Sequence, residues 1–564
     1  MILLIGAAGC KKQLNVGNPN SPTVPADITN ESSLAALGQG AAYVDGFAAS
    51  NAYNWLGSGY FSLNYSYSEL LADMVGSTDA NENVNVISIP YYAILDNSSV
   101  YTLSPGASNN EDQVTLLRTA NTRAETAAGY NAFYYEWCNM YVLNGSMNSF
   151  LATIPTVKGL SADAVSTMQA WAYFWKGYAY SVIGSQYTAG LIVNTASQTN
   201  NNYLIKDSII AESNYYFNLA ATTIGSISAS SADYTTVMGE LIPSAFQASP
   251  HGGNGSVMTP TMWLHNINTM LARNILVNKL SPFVNQSLSA TITGASIPVM
   301  ASADWQSVLT LTTNGIQTGD AAFIATSTGV NSLYGQNTGN ITLMAAGPNQ
   351  DLVFQPGLRL TQNFNSGDQR LALDFTNLPA DTFYNDYFST VYSLIDSANG
   401  SSTVYNYSDE KDVGAYETYI AGSWEENTLM LAEANIMMGS VNAGLALVDA
   451  ERAYQGAGVA VTANTGLTQA QAYNQLVRER RVALFGRGLS FWDARRWGWT
   501  YDIKQGGGSY GNEFLYLPSQ GSSVMNYNAT IDYNFMDYWD IPADEVILNP
   551  PSSATAKVVT NPNY

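Results

Sequence analysis

The sequence predicts a mainly α-helical chain with long loop-rich insertions and a few short strands. Three observations predict it. Several segments repeat large side chains at three- and four-residue steps, the spacing of one helix face. The same segments mix these with Ala, Gly or small polar residues, which lets helices approach closely as stacked pairs. Between them lie stretches rich in Asn, Ser, Thr, Gly and Tyr that are longer than ordinary connections.

Residues 32–49 are Ala/Leu/Gly-rich and read as helix, and 69–75 read as the end of another. Residues 133–151 carry Phe133, Trp137, Met140, Tyr141 and Asn144 in helical register. Residues 164–183 repeat the pattern through Met168, Trp171, Trp175, Tyr178 and Val182, and 262–279 through Ile267, Leu271, Ile275 and Lys279. No strict 34-residue repeat is present, so any repeat is degenerate. The irregular stretches are 76–118, 184–206, 281–303 and 321–412. Their aromatic content argues for ordered excursions from a helical scaffold rather than disorder. Residues 351–354 and 358–362 read as short strands within them. Helix returns at 422–438, 441–455 and 468–485, with Thr468 as an N-cap and Gly439 and Gly486 as stops.

Charged residues make up 11% of the chain, less than half the usual fraction of about 25%. Asn, Ser, Thr, Gln and Tyr supply the polarity instead, a surface suited to uncharged polar ligands. The net charge of −22 repels phosphate backbones and makes nucleic acid a poor candidate, so no nucleic-acid partner is expected. With Lys scarce, the balance points outside the cytoplasm. Most of the 37 Tyr and 11 Trp serve packing, and the remainder is large enough to line a binding face. Two cysteines, Cys10 and Cys138, make no disulfide framework, and two histidines, His251 and His265, make no His-rich metal site. No metal and no cofactor are expected.

Residues 1–9 read MILLIGAAG and precede Cys10, Lys11 and Lys12. An apolar run, small residues and then Cys is the end of a lipoprotein signal peptide, which makes Cys10 the lipidation site. Residues 1–10 are then signal remnant and anchor, 11–30 a polar tether, and 31–564 a single domain. The apolar run is far shorter than the roughly 20 residues a membrane span needs.

On the helix from Thr468, the residues Tyr473, Leu476, Val477, Ala483 and Leu484 share a stripe roughly 120° wide. Arg480 falls in its middle, with Arg478, Glu479 and Arg481 outside it. A guanidinium on an apolar face needs a carboxylate. Asp493, Glu425, Glu426 and Glu433 are the candidates. The next turn holds Phe491, Trp492, Asp493, Arg495, Arg496, Trp497 and Trp499, and guanidinium groups stack well on indoles. Arg480, Trp492, Asp493, Arg495, Arg496 and Trp497 therefore read as a structural lock of ion pairs and stacked rings. An anion-binding site is the alternative.

The segment 479–499, ERRVALFGRGLSFWDARRWGW, resembles the C-terminal signature of the RagB/SusD family. Glu479, Arg480, Arg481, Leu484, Gly488, Trp492, Asp493, Arg495, Arg496, Trp497 and Gly498 match it. Ala483 and Arg487 stand where the family commonly has Glu, and Ser490 where it has Arg, which reads as a compensated change in the ion pairs. Other stretches agree in order: the Cys10 anchor, 136–148, 170–193, 305–319, Asp368-Gln369-Arg370, and the ending with Ile541-Pro542, Asp544, Glu545 and Asn549-Pro550. The resemblance implies a SusD-like helical scaffold of four tetratricopeptide-like pairs. It also implies a surface-exposed, lipid-anchored protein of the outer membrane. Such a protein caps a SusC-like TonB-dependent transporter, and binds a nutrient glycan, or sometimes a peptide, without catalysis.

Two loop regions match places where family members carry ligand contacts. The first, 76–99, has Asn81, Asn83, Asn85, Tyr91, Tyr92 and Asn97. The second, 321–365, has Asn331, Tyr334, Gln336, Asn337, Asn349 and Gln350. The expected ligand contacts are Asn81, Asn83, Tyr91, Tyr92, Asn97, Tyr334, Gln336 and Asn337. Trp55 and Tyr60 are a third possibility. The sequence has no Gly-x-Ser-x-Gly, His-Glu-x-x-His or phosphate loop. The less favoured readings are a peptide-binding subunit, a lid with no ligand site, and a surface glycoside hydrolase built on acids such as Asp320, Asp351 and Asp368.

Overall fold

The computed structural model describes residues 28–43, 64–77, 89–102, 132–244, 257–281, 291–326, 352–377, 417–516, 522–533 and 536–563, with short pieces within 115–121, at 247, 283, 287–288 and 345–346, and within 383–394. The helices in chain order are α1 Glu31–Tyr43, α2 Ser66–Leu71, α3 Ala132–Thr153, α4 Ala162–Gln186, α5 Lys206–Gly225, α6 Ala232–Leu241, α7 Pro260–Val277 and α8 Ser302–Thr313. They continue with α9 Leu358–Thr361, α10 Gln369–Asp374, α11 Trp424–Met437, α12 Val441–Tyr454, α13 Gln469–Ala483, α14 Ser490–Arg496 and α15 Ala543–Leu548. The fold is mainly α, as the periodicity predicts.

Local chemistry sets the helix starts. Ser161, Ser231, Thr259, Ser423 and Thr468 each accept a hydrogen bond from a backbone N–H three residues on. At Thr468 the bond is returned by Gln471, a capping box. Each such cap is worth about 1 kcal/mol.

The helices pack as neighbouring pairs. α4 lies between α3 and α5, α7 joins α5 to α8, and α11 contacts α8, α12 and α13. Close approach depends on two glycines of α4. A Cβ at Gly177 would stand 2.8 Å from the Phe217 ring of α5, and one at Gly184 would stand 2.8 Å from Ile210. Trp171, Trp175 and Trp263 are fully buried and meet Phe323 ring to ring at 5.1–6.2 Å. Lys176 is buried in the same helix pair. Its Nζ donates to Asn144 (2.7 Å) and Asn148 (2.5 Å), and burial lowers its pKa to about 7.

The structure corrects two expectations and adds two features that the sequence did not show. The segment 69–75 is not one helix: α2 stops at Leu71, Asp73 takes a left-handed φ of 54°, and Val75 begins a strand. Leu358–Thr361 is a helical turn rather than a strand, because it must turn Arg359 back onto Asp73. α5 and α6 were not legible. The α5 stripe of Ile209, Tyr216, Phe217, Ala220 and Ile224 is diluted by Ser213 and by Asn, Ser and Thr of low helix propensity. Glu479 and Arg481, although outside the apolar stripe of α13, do not reach solvent. Both are buried, because α12 covers one flank and Trp499 with the backbone at Ala72 the other.

Two longer strands, Ser509–Tyr516 and Val524–Asp532, form a hairpin. It extends through Tyr92–Ile94 to Val100–Thr102 as a four-stranded antiparallel sheet. Val75–Ser77 pairs antiparallel with Leu352–Pro356, with Gly76 opposite Gln355.

The helices and the sheet meet at α13 and α14. Arg480 donates to both oxygens of Asp493 (3.0 and 3.1 Å). Arg496 donates to Asp493 (2.6 Å) and, with its other two nitrogens, to Glu433 (2.6 and 2.9 Å). The remaining carboxylates of α11 are taken by other arginines: Glu425 by Arg487 (2.9 Å) and Glu426 by Arg273 (2.6 Å). Arg495 has a different role. It donates to the carbonyls of Ser185 (2.6 Å), Val277 (2.8 Å) and Asp537 (3.0 Å), and lies 3.9 Å over the Tyr538 ring. Ser185 and Val277 lie in the last turns of α4 and α7, whose final carbonyls have no partner within their helices. A cation there also complements both helix dipoles. Trp492 Nε1 donates to Gln186 at the same end of α4 (2.8 Å).

Beside this network Glu69, Glu136 and Glu451 are buried carboxyls with no ion pair among the described residues. Glu69 accepts from Gly486 N (3.1 Å) and Ser490 Oγ (2.7 Å), and burial raises its pKa to about 8. Glu136 is likewise raised to about 8 by burial. Glu451 makes no hydrogen bond through either oxygen among the described residues. Burial first, then the nearby charges of Glu425 and Glu479, push its pKa well up against the opposing pull of Arg487 and Arg370.

Replacing Asp493 with Ala leaves Arg480 buried without its carboxylate, and should cost about 3–5 kcal/mol in urea unfolding. The raised carboxyls give a pH signature of definite sign. The folded chain holds their protons more tightly than the unfolded chain. Their contribution is therefore full below the ordinary value of 4.5 and is lost as pH rises through the folded values, about 8 for Glu69 and Glu136. Glu451→Gln mimics the protonated form, so thermal melts should show it more stable than the parent at pH 8 and equal to it near pH 4.5.

Candidate ligand-binding site

The two loop regions singled out in the sequence lie hundreds of residues apart, and the fold joins them at their base. Val75–Ser77, where the first departs, is hydrogen-bonded to Leu352–Pro356, which belongs to the second. One residue beyond each strand end the backbone is tied again, by Gly357 N to Met74 O (2.7 Å). Arg359 then donates to both oxygens of Asp73 (2.7 and 2.9 Å) and to the Glu513 carbonyl (3.1 Å). Tyr533 donates to the same Asp73. Both regions are thereby pinned to the C-terminal hairpin.

The hairpin also carries two of the expected contacts. Tyr91 N donates to Asp532 O (2.7 Å), and Tyr92 stands opposite Asp532 in the ladder with its hydroxyl bonded to that carboxyl. Burial, with Asp502 adding to it, raises the Asp532 carboxyl to about 6. The Tyr91 ring is 52% exposed and meets Tyr92 at 5.7 Å, so it offers a face to solvent. Asn97 accepts from Ser99 N (2.9 Å), which commits it to its own turn. Asn81, Asn83, Asn85, Tyr334, Gln336 and Asn337 lie outside the described residues, as do Asn331, Asn349, Gln350, Trp55, Tyr60 and Cys10. The acids weighed for hydrolysis have other roles where described. Asp320 pairs with His265 (2.7 Å), and Asp368 caps α10 and binds Arg370 (2.8 Å). Among the described residues no group of three or more His, Cys, Asp and Glu is placed to hold a metal.

Next to the hairpin is a cleft of about 360 Å³, within the range of small-ligand sites. One wall is α13, where Asn474 and Arg478 are a turn apart on one face. Arg480, two residues on, points roughly 200° away into the lock. The other walls are Gln362 and Asn363, the hairpin residues Tyr510, Asn512, Glu513 and Tyr527, and Trp499. Tyr527 is 72% exposed. Trp499 is held by Arg481, whose guanidinium lies 4.7 Å from the ring centroid, and by Trp497 at 5.0 Å. The cleft thus offers aromatic faces beside amides, one guanidinium and one carboxylate. Flat rings suit the C–H face of a sugar, and fixed amides suit its hydroxyls. A second, enclosed cavity beside Asn64, Glu136 and Trp492 is about 30 Å³, room for one or two waters and no larger ligand.

Sequence reasoning placed Trp499 with the lock and passed over Tyr510, Glu513 and Tyr527. Their signal is the density of Tyr, Asn and Gly after residue 499. What makes them a site is the hairpin register against α13.

No family model and no curated protein matches the sequence. Solved structures do. A SusD-like carbohydrate binding protein from Bacteroides fragilis superposes at a TM-score of 0.55 and 16% identity, over 92% of this chain and 98% of that one. A SusD superfamily protein from Parabacteroides distasonis gives 0.53 and 12%, over 93% and 98%. A SusD homolog from Bacteroides thetaiotaomicron gives 0.50 and 13%, over 84% and 91%. Over nearly its whole length this chain shares the mainly α fold of these SusD-like structures.

Proposed function

We propose that this protein binds a nutrient glycan at the cell surface without chemically altering it, and delivers it to a SusC-like TonB-dependent transporter of the outer membrane. The lipid on Cys10 would hold it there. The observation that carries this reading is the cleft beside the hairpin. Trp499, Tyr510 and Tyr527 line it with amide donors and acceptors, on a frame that buried ion pairs make rigid. Fixed aromatic and amide groups lose little entropy on binding a polar oligomer. The Tyr91–Tyr92 pair extends the same surface along the hairpin, since Tyr510 lies near Tyr92 and Asp532. The SusD fold supports the reading as well, because a structure that shares it is described as carbohydrate binding.

Among the described residues one carboxylate, Glu513, lines the cleft, whereas glycosidic hydrolysis uses a flanking pair. This supports binding without cleavage. Among the described residues no helix is long and apolar enough to cross a membrane. Attachment through Cys10 would supply the membrane contact.

The test is a glycan array followed by calorimetry on the best ligand. Changing Tyr510 and Tyr527 together to Ala should weaken binding about tenfold or more while leaving the melting temperature unchanged, since Tyr527 is exposed and Tyr510 half-buried. No new reducing ends should appear on prolonged incubation. Tight binding of mixed peptides with none of any glycan would sink the glycan reading, and release of reducing ends would sink the non-catalytic one.

A further inference from the structure

The arginines of the buried network divide into two groups. Arg273, Arg359, Arg370, Arg452, Arg480, Arg487 and Arg496 each have a carboxylate within 4 Å. Arg481 and Arg495 have none among the described residues, but both are enclosed and are held by backbone carbonyls and aromatic rings. Arg478 belongs to neither group. It has no ion pair among the described residues, it is only half-buried, and it lines the 360 Å³ cleft.

Its guanidinium is nonetheless fixed. Nε donates to the carbonyl of Asn363 (3.2 Å), and Nη2 to those of Gln362 (3.1 Å) and Phe364 (3.0 Å). Three neutral acceptors orient the fork without cancelling its charge, and among the described residues no hydrogen bond uses Nη1. A planar guanidinium held in this way is preorganised for a carboxylate. Trp499 and Tyr510, which suit a sugar ring, line the same cleft.

We propose that the cleft selects glycans bearing carboxylates, uronic acid residues, and that Arg478 is the residue that reads the charge through Nη1. This rests on the glycan reading of the cleft and names the class of glycan. The net charge of −22 does not exclude an acidic ligand. At physiological salt the overall repulsion is screened beyond about 8 Å, while a contact pair acts well inside that distance.

Glu513 gives the selection a pH signature. It lines the same cleft, and burial raises its carboxyl above the ordinary range although Arg359 and Arg478 pull the other way. The charged groups around Arg478 are Arg452, Glu479, Asp368 and Glu513, of which Glu513 shares the cleft. When ionised, Glu513 opposes an incoming carboxylate. When protonated, it donates a hydrogen bond to it. Because its carboxyl is raised, Glu513 takes up a proton before a uronate does as pH falls, so acidic glycans should bind more tightly at lower pH and neutral ones should not.

The experiment uses the full chain and a panel of uronate-bearing polysaccharides, each paired with its carboxyl-reduced neutral form, in calorimetry at pH 7.5 and 5.5. At least one uronate polymer should bind, and its reduced form should bind about tenfold more weakly. Glu513→Gln should strengthen uronate binding at pH 7.5 and flatten its pH dependence. Arg478→Gln should abolish the preference for the charged form. Reduced forms binding as well as their parents, neutral polymers binding while every uronate fails, or an unchanged pH profile in Glu513→Gln would each overturn the proposal. The first two results would leave glycan binding itself intact. Failure of every polymer, charged and reduced, would remove the glycan reading and this inference with it.

Discussion

The structure depends on a chain of buried charges that runs Arg480–Asp493–Arg496–Glu433. Each group is almost wholly removed from water, and an isolated charge there would cost several kcal/mol. The chain is tolerable because every carboxylate in it accepts two or more charge-assisted hydrogen bonds. It works only when α11, α13 and α14 stand in one arrangement. Its contribution is therefore specificity of assembly as much as stability, a role buried ion pairs take in some proteins.

Two consequences follow from where the chain lies. Arg495, on the same short helix as Asp493 and Arg496, reaches the open carbonyls near the C-terminal ends of α4 and α7. One seven-residue helix thus closes the ends of two long ones and joins the helical body to the C-terminal segment at Asp537. On its opposite side α13 forms a wall of the cleft. The helix that buries Arg480 and Glu479 presents Asn474 and Arg478, so rigidity in the lock becomes rigidity in the site. A binding surface built this way gives up little entropy to its ligand.

The sequence analysis and the structure meet at particular residues. Arg480 was legible as a buried cation because it interrupts an apolar stripe, and Asp493 was among its possible partners. Nothing in the stripe could say that Glu425, Glu426 and Glu433 would each be claimed by a different arginine. Glu479 and Arg481 fall outside the stripe yet are buried, because helical period marks only the most apolar face. It does not record that two further elements cover the others. The large aromatic residues at helical spacing in α3, α4 and α7 were legible, whereas α5 was hidden by its Ser, Asn and Thr content.

The cleft shows the same division. By itself the sequence determined the helical scaffold, its caps, its low charge and the two loop regions rich in Tyr and Asn. These follow from local periodicity, propensity and composition, which a linear chain carries openly. Only the tertiary structure decided that the two loop regions share a strand pair at their base, that Tyr510 and Tyr527 face α13 across one hollow, and that Arg478 alone among the clustered arginines lines that hollow, with no ion pair among the described residues. Those facts depend on strand register and on the competition of many arginines for few carboxylates, and both are set by contacts between residues far apart in the chain.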